Sequence, residues 1–118
     1  MPTDRDRLDA YLPLRPVEFH ILLSLAAGER HGYGIIQDIE SRGDAPVPDV
    51  GTMYRALARM VEDGLIATAP ASRAAAAGER RNNYRITSLG LRVAKAEARR
   101  LDALMRAARV GGLLEKKA

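Results

Sequence analysis

Thr52, Arg55 and Arg59 stand three and four residues apart within "VGTMYRALARMVEDG", while Arg80, Arg81, Asn83 and Arg85 crowd a second stretch, "ERRNNYRIT". Spacings of three and four put the first set on one helical face. Arginine carries a planar fork of donors that grips paired acceptors, such as guanine O6 and N7 or two phosphate oxygens. The chemistry on offer is recognition of an anion or a base edge. The inventory for catalysis is thin. There is no cysteine, and the two histidines, His20 and His31, fall on different segments. No metal-ligand spacing and no Ser/His/Asp arrangement is legible, and "GYG" lacks the rest of a dinucleotide fingerprint. Neither enzyme activity nor a cofactor is expected.

The charge distribution agrees with an anionic partner. Residues 1–79 hold 8 Lys/Arg against 12 Asp/Glu, and residues 80–118 hold 11 against 3, within a net charge of +4 over 118 residues. A basic end on an acidic chain fits nucleic acid or a membrane surface, with a solvated basic helix as the plainer alternative. No apolar run approaches the roughly 20 residues of a membrane span, and "MPTDRDRLDAYLPLRP" has acids and prolines where a signal peptide needs apolar residues. The expectation is a soluble, cytoplasmic, one-domain protein without a membrane partner.

These residues need elements to hold them. Pro16 suits the first position of a helix through "PVEFHILLSLAA", which is apolar around most of its circumference and therefore buried on several sides. "HGYGIIQDIESRG" reads as a second helix with Ile35, Ile36 and Ile39 as its stripe. A third helix spans "VGTMYRALARMVEDG" and is closed by Gly64. Val50, Met53, Leu57, Met60 and Val61 share its apolar side, with Thr52, Arg55, Arg59 and Glu62 opposite. "LIATA" and the alternating "NNYRIT" read as two strands of a hairpin. Thr87 is the natural N-cap of a last helix. Along that helix Leu91, Ala94, Ala98, Leu101, Met105 and Ala108 recur at spacings of 3, 4, 3, 4 and 3, a heptad seam suited to packing against another helix.

Between the strands lies "ASRAAAAGERRNNY". Alanine propensity favours a helix, but an isolated stretch this short is marginal in water, and the flanking strands demand a return. The expectation is a long wing tip, mobile when free, with Ala74–Ala77 as spacer and Arg80 and Arg81 at its base. In sum, the chain is expected to be mainly α with a small β-hairpin (α+β): a winged helix-turn-helix with a C-terminal dimerisation helix. The division is a flexible segment over 1–11, the winged domain over 12–87, the helix over 88–112 and a tail over 113–118. In such a fold the third helix enters the major groove; the N–H groups of Gly51 and Thr52 are free to take a phosphate.

"HGYGIIQDIE", "VGTMYRALARMVEDGLI" and "RRNNYRITSLG", in this order and spacing, resemble the PadR family of bacterial transcriptional regulators, over roughly residues 12 to 110. The single C-terminal helix resembles the family's short-chain branch. The resemblance implies a homodimer that binds a double-stranded DNA operator, usually as a repressor. It places Thr52, Tyr54 and Arg55 near DNA, with Arg80, Arg81 and Tyr84 in the wing motif. It also allows a small-molecule effector such as a phenolic acid or a drug-like compound, for which Phe19 or Tyr11 are the aromatic candidates. Arg15 stands where the family often has a Ser or Thr cap, with Glu18 in the reciprocal capping-box position.

Plainer readings stand beside these. Tyr54 is a half-buried ring with a surface hydroxyl as readily as a phosphate contact. Arg55 and Arg59 favour DNA over simple solvation once the fold is granted. Tyr84 reads as core-facing, Tyr33 and His20 as packing residues. The alternative function is a winged-helix protein-interaction module without specific DNA binding, a role for which outward arginines are not required.

Overall fold

Pro16 opens the helix around which everything else is arranged. A computed structural model describes residues 4–43, 47–69 and 83–115. Its elements are α1 (Asp4–Asp9), α2 (Pro16–Ala26), β1 (Arg30–His31), α3 (Gly32–Ser41), α4 (Val50–Glu62), β2 (Ile66–Ala69), β3 (Asn83–Ile86) and α5 (Ser88–Val110). Helix α2 touches α3, α4, α5 and β3, as its all-round apolar character requires. Ile21, Leu22 and Leu25 are buried there against Ile35, Ile39, Met53, Leu57 and Met60. Removing that much apolar surface from water, at about 25 cal/mol per Å², is the main force holding the helices together.

The starts of α2, α3 and α5 are each fixed by a side chain. The Glu18 carboxylate accepts the Arg15 N–H at 2.9 Å, half of a capping box supplied without a Ser or Thr cap. His31 Nδ1 accepts the Gly34 N–H at 3.0 Å at the start of α3. Thr87 Oγ1 accepts the Gly90 N–H at 3.0 Å at the start of α5. It also lies 2.7 Å from the Gly64 carbonyl, tying α5 to the end of α4. Gly90 is required at this junction, because a Cβ there would lie 1.9 Å from the Leu65 carbonyl oxygen.

The wing is a three-stranded antiparallel sheet in the order β1-β3-β2, where the sequence suggests two strands. Ile66 pairs with Ile86 and Thr68 with Tyr84 across β2 and β3. On the other edge Arg30 pairs with Tyr84 and His31 with Asn83. Two residues cannot display an alternating pattern, so β1 leaves no trace in the sequence. It forms because His31, as the N-cap of α3, is already extended and lies along the free edge of β3. The Ala74–Ala77 tip falls outside the described residues.

The N-terminal segment also differs from expectation. Asp4–Asp9 is helical rather than loose, and α1 rests on α5 with Leu8 buried in the core. Six residues of helix anchored by a single leucine are too few to give a periodic signal.

In α5 the buried positions are Gly90, Val93 and Glu97. The heptad seam is displaced from this face by roughly a quarter turn. Of its members, Ala94 is partly buried against the chain's own core, Leu101 and Ala108 are half-buried, and Leu91, Ala98 and Met105 are exposed. No residue beyond Glu97 joins the core cluster, so the second half of α5 projects with Leu104 and Met105 in solvent.

Candidate nucleic-acid interface

The N-terminal turn of α4 is organised by Asp49. Its carboxylate accepts the Thr52 N–H at 2.7 Å and the Thr52 hydroxyl at 3.1 Å. Those two bonds, with the Arg55 charge and the Gly51 N–H, hold the exposed carboxyl below its ordinary range, against a smaller opposing effect of desolvation. Arg55 folds back over this turn, donating from Nη2 to Thr52 Oγ1 at 3.3 Å. The expectation of a free amide pair at Gly51 and Thr52 is therefore corrected. The Thr52 N–H already belongs to the capping aspartate, which is covalently held beside it and needs no phosphate to satisfy the helix end. What remains for a ligand is the exposed Arg55 fork, since the Thr52 hydroxyl is itself held between Asp49 and Arg55.

Arg59, one turn on, faces elsewhere. Its Nε lies 3.5 Å from Glu18 Oε2, a carboxylate of α2 that is largely buried. Arg55 and Arg59, read from the sequence as one outward pair, are thus separated. The first sits in the open network at the helix start; the second closes the α2–α4 contact.

Tyr54 is 43% exposed, and its ring end lies over the first residue of α3. A Cβ on Gly32 would fall 2.6 Å from the Tyr54 hydroxyl, so this glycine makes room for the ring. Tyr84 of β3 is half-buried, and its hydroxyl is pushed above its usual range by burial and by the neighbouring Tyr54. The "HGYG", "TMYR" and "NNYR" stretches thus converge on one spot through Gly32, Tyr54 and Tyr84. Beside it a shallow cavity of about 290 Å³ is lined by Tyr33, Ile36, Val50 and Tyr54. Tyr33 is 52% and Val50 61% exposed, so Tyr33 does not pack inward, and Val50 lies one turn beyond the core despite sharing its stripe.

In the wing, Arg85 is exposed and Asn83 half-buried, the latter with its backbone held between both neighbouring strands. Arg80 and Arg81 lie outside the described residues.

Two polar clusters escaped sequence reasoning. Asp38 accepts the Ser24 hydroxyl at 2.7 Å and pairs with Arg42 at 2.7 Å and Arg30 at 3.7 Å, joining α2, β1 and α3. The Ser24 bond, with the charges of Arg42 and Arg30, holds its carboxyl low despite burial. Arg42 also approaches His20 Nδ1 at 3.2 Å, and burial and that charge push the imidazole's pKa down. Only the Asp38–Arg42 spacing of four was visible beforehand. The second cluster is Glu97, 1% exposed, which accepts the Leu14 N–H at 2.7 Å and pairs with Arg100. Nearby, α1, the α1–α2 linker and α5 border a groove of about 750 Å³ with Leu8, Leu12, Pro13, Ala96, Arg99 and Arg100 on its walls. Phe19 and Tyr11 pack against the core and are not among its lining residues.

Helices α2 to α4 with a β-sheet wing, and an exposed polar network of Asp49, Thr52 and Arg55 at the start of α4, define a winged helix-turn-helix DNA-binding protein. The chain belongs to the PadR-like family of transcriptional regulators, whose description matches residues 21–96. These are regulators of transcription and not enzymes. Among solved structures the chain is similar to a transcriptional regulator from Clostridium thermocellum, at 26% identity and a TM-score of 0.68, covering 91% of this chain and 95% of that one. A PadR family regulator from Clostridium difficile is similar at 24% identity and a TM-score of 0.69, covering 79% and 94%. Bacillus subtilis PadR in complex with operator DNA is similar at 20% identity and a TM-score of 0.63, covering 70% of this chain and 46% of that one. No curated protein matches in sequence. Among the described residues no helix is long and apolar enough to cross a membrane.

Proposed function

We propose that this regulator is a dimeric, sequence-specific DNA-binding repressor, with α4 as its recognition helix and a small-molecule effector that releases it. The observation that carries the reading is the exposed network of Arg55 and Thr52 at the start of α4, where a helix-turn-helix meets base edges. Arg55 reads bases and Arg85 of β3 grips a phosphate, a role that Arg80 and Arg81, just before β3 in the sequence, share in this reading. Arg59 orients α4 through Glu18 and contributes to binding through that contact.

The projecting half of α5 supports a dimer. Leu101, Leu104, Met105 and Ala108 lie on a stretch with no core of its own chain to cover it. A two-fold dimer of this kind binds a pseudo-palindrome with half-sites about one helical turn, roughly 34–36 Å, apart. The groove beside Leu12 and Arg100 is the effector's place in this reading; Arg99 faces it beside the carboxylate of Asp9, and Arg100 is already paired with Glu97.

Unbiased selection of bound fragments from the source genome, followed by titration against random duplex, tests the function. A recurrent two-fold motif supports it. Equal affinity for genomic promoter fragments and random duplex would sink specific binding, and no nucleic-acid affinity at moderate salt would promote the protein-interaction alternative.

A further inference from the structure

Val50 is placed where an apolar side chain has no structural use. Met53, Leu57 and Met60 on the same stripe of α4 are fully buried, but Val50, at the first position of the helix, is 61% exposed. A β-branched residue at an exposed helix start brings neither propensity nor a cap. Its surroundings are a mix of apolar walls and polar rim. Tyr33, Ile36 and Tyr54 line the shallow cavity with it, while Asp49, the residue before it, joins Thr52 and Arg55 in the hydrogen-bonded network at the same helix start.

In the major groove the one apolar substituent on a base edge is the C5-methyl of thymine; beside the ring C–H positions, the other groups there are donors or acceptors. Val50 has no polar atom to satisfy a donor or acceptor, and a cytosine amino group pressed against it would lose its water without replacement. We infer that Val50, with the Tyr33 and Tyr54 rings beside it, reads a thymine methyl in each half-site, adjacent to the base read by Arg55. The inference rests on the DNA-binding reading above and adds to it a specificity that hydrogen bonding does not supply. Arg55 recognises a polar edge, and Val50 recognises the methyl that separates thymine from uracil.

The test uses the wild-type protein, the Val50→Ser variant and the genomic fragment obtained by selection. Val50→Ser removes both methyl groups, where threonine would keep one that can still meet a thymine methyl; the site is exposed and serine suits a helix start, so folding is not at stake, and a melting curve confirms that. Each thymine in the half-site is replaced in turn by deoxyuridine, which deletes only the methyl. At one position per half-site, wild type binds deoxyuridine about three- to five-fold more weakly than thymine, the worth of one buried methyl group. Val50→Ser loses that discrimination while keeping its preference at the base read by Arg55. A wild type indifferent to every deoxyuridine substitution overturns the inference, as does a Val50→Ser variant that discriminates as well as wild type, in both cases with specific binding intact. If wild type prefers no genomic fragment over random duplex, the DNA-binding reading itself fails and the inference falls with it.

Discussion

Glu18 and Arg59, on α2 and α4, meet at 3.5 Å, and the same carboxylate accepts the backbone N–H of Arg15 through its other oxygen. One buried acid thus fixes the start of the central helix and the azimuth of the recognition helix. Replacing Arg59 by alanine leaves Glu18 largely buried without its cation. We expect a destabilisation of about 1–2 kcal/mol, tempered by Arg59's own partial exposure. In Glu18→Gln the uncompensated charge is gone, so the double variant Glu18→Gln/Arg59→Ala falls short of the summed single losses. Urea unfolding of the four proteins measures the cycle; additive losses contradict a direct pair.

The C-terminal helix is tied to the linker by a second buried acid. Burial pushes the Glu97 carboxyl up, but the bonds from Arg100 and the Leu14 N–H, with the Arg100 charge, bring it below its ordinary value. A carboxyl held low in the fold gives up its proton more readily folded than unfolded. Its stabilising contribution is therefore complete above the ordinary glutamate value near ~4.3 and is lost as the pH falls through the depressed one. Unfolding free energies measured from pH 7 down to about 3.5 decline at the acid end for wild type. For Glu97→Gln the decline is shallower, because that carboxyl no longer titrates; identical slopes would remove Glu97 from the account.

Two glycines separate backbone from side-chain tolerance. A Cβ at Gly90 meets the Leu65 carbonyl, which cannot move without breaking the α4–α5 junction. Gly90→Ala is expected to cost about 4 kcal/mol or more, or to prevent folding. At Gly32 the obstacle is the end of the Tyr54 ring, which can swing away. Gly32→Ala keeps the fold but displaces Tyr54, so it lowers DNA affinity more than thermal stability. Circular dichroism melting and a DNA titration read the two effects. Gly34→Ala, whose Cβ would find only ordinary contacts, is the control and stays within about 1 kcal/mol of wild type.

Helices α2 to α5, both main wing strands and the Thr87 cap were legible because each rests on local rules: stripe spacing, capping chemistry and alternation. What stayed hidden depends on neighbours from elsewhere in the chain. A helical wheel shows that Arg59 leaves the apolar stripe, but not that Glu18 of another helix waits there. It puts Val50 on the stripe, but not past the edge of the core. β1 exists because β3 has a free edge beside it, and Leu14 meets Glu97 only through the tertiary fold. Asp49 was the exception: an aspartate just before a helix is a capping signal, and it accounts for the amides read as open to phosphate. Arg80 and Arg81 lie outside the described residues, so the wing base rests on the sequence alone.

The projecting half of α5 makes oligomeric state testable. Leu104→Glu and Met105→Glu put charge on a stretch that makes no contact with the chain's own core, so each leaves the folded monomer intact. Sedimentation equilibrium is expected to show a dimer for wild type and a shift of at least tenfold toward monomer for either variant. Wild type sedimenting as a monomer at micromolar concentration would contradict the dimer.

Recognition at the start of α4 is most directly tested by titrating wild type and Arg55→Ala against the selected fragment and a random duplex at two salt concentrations. Wild type is expected to prefer the selected fragment by about 10³-fold or more, with both affinities falling as salt rises. Arg55→Ala gives up about 1–3 kcal/mol of that preference while its affinity for random duplex falls far less. Equal wild-type affinity for the two duplexes at both salt concentrations, or an Arg55→Ala variant with undiminished preference, would contradict it.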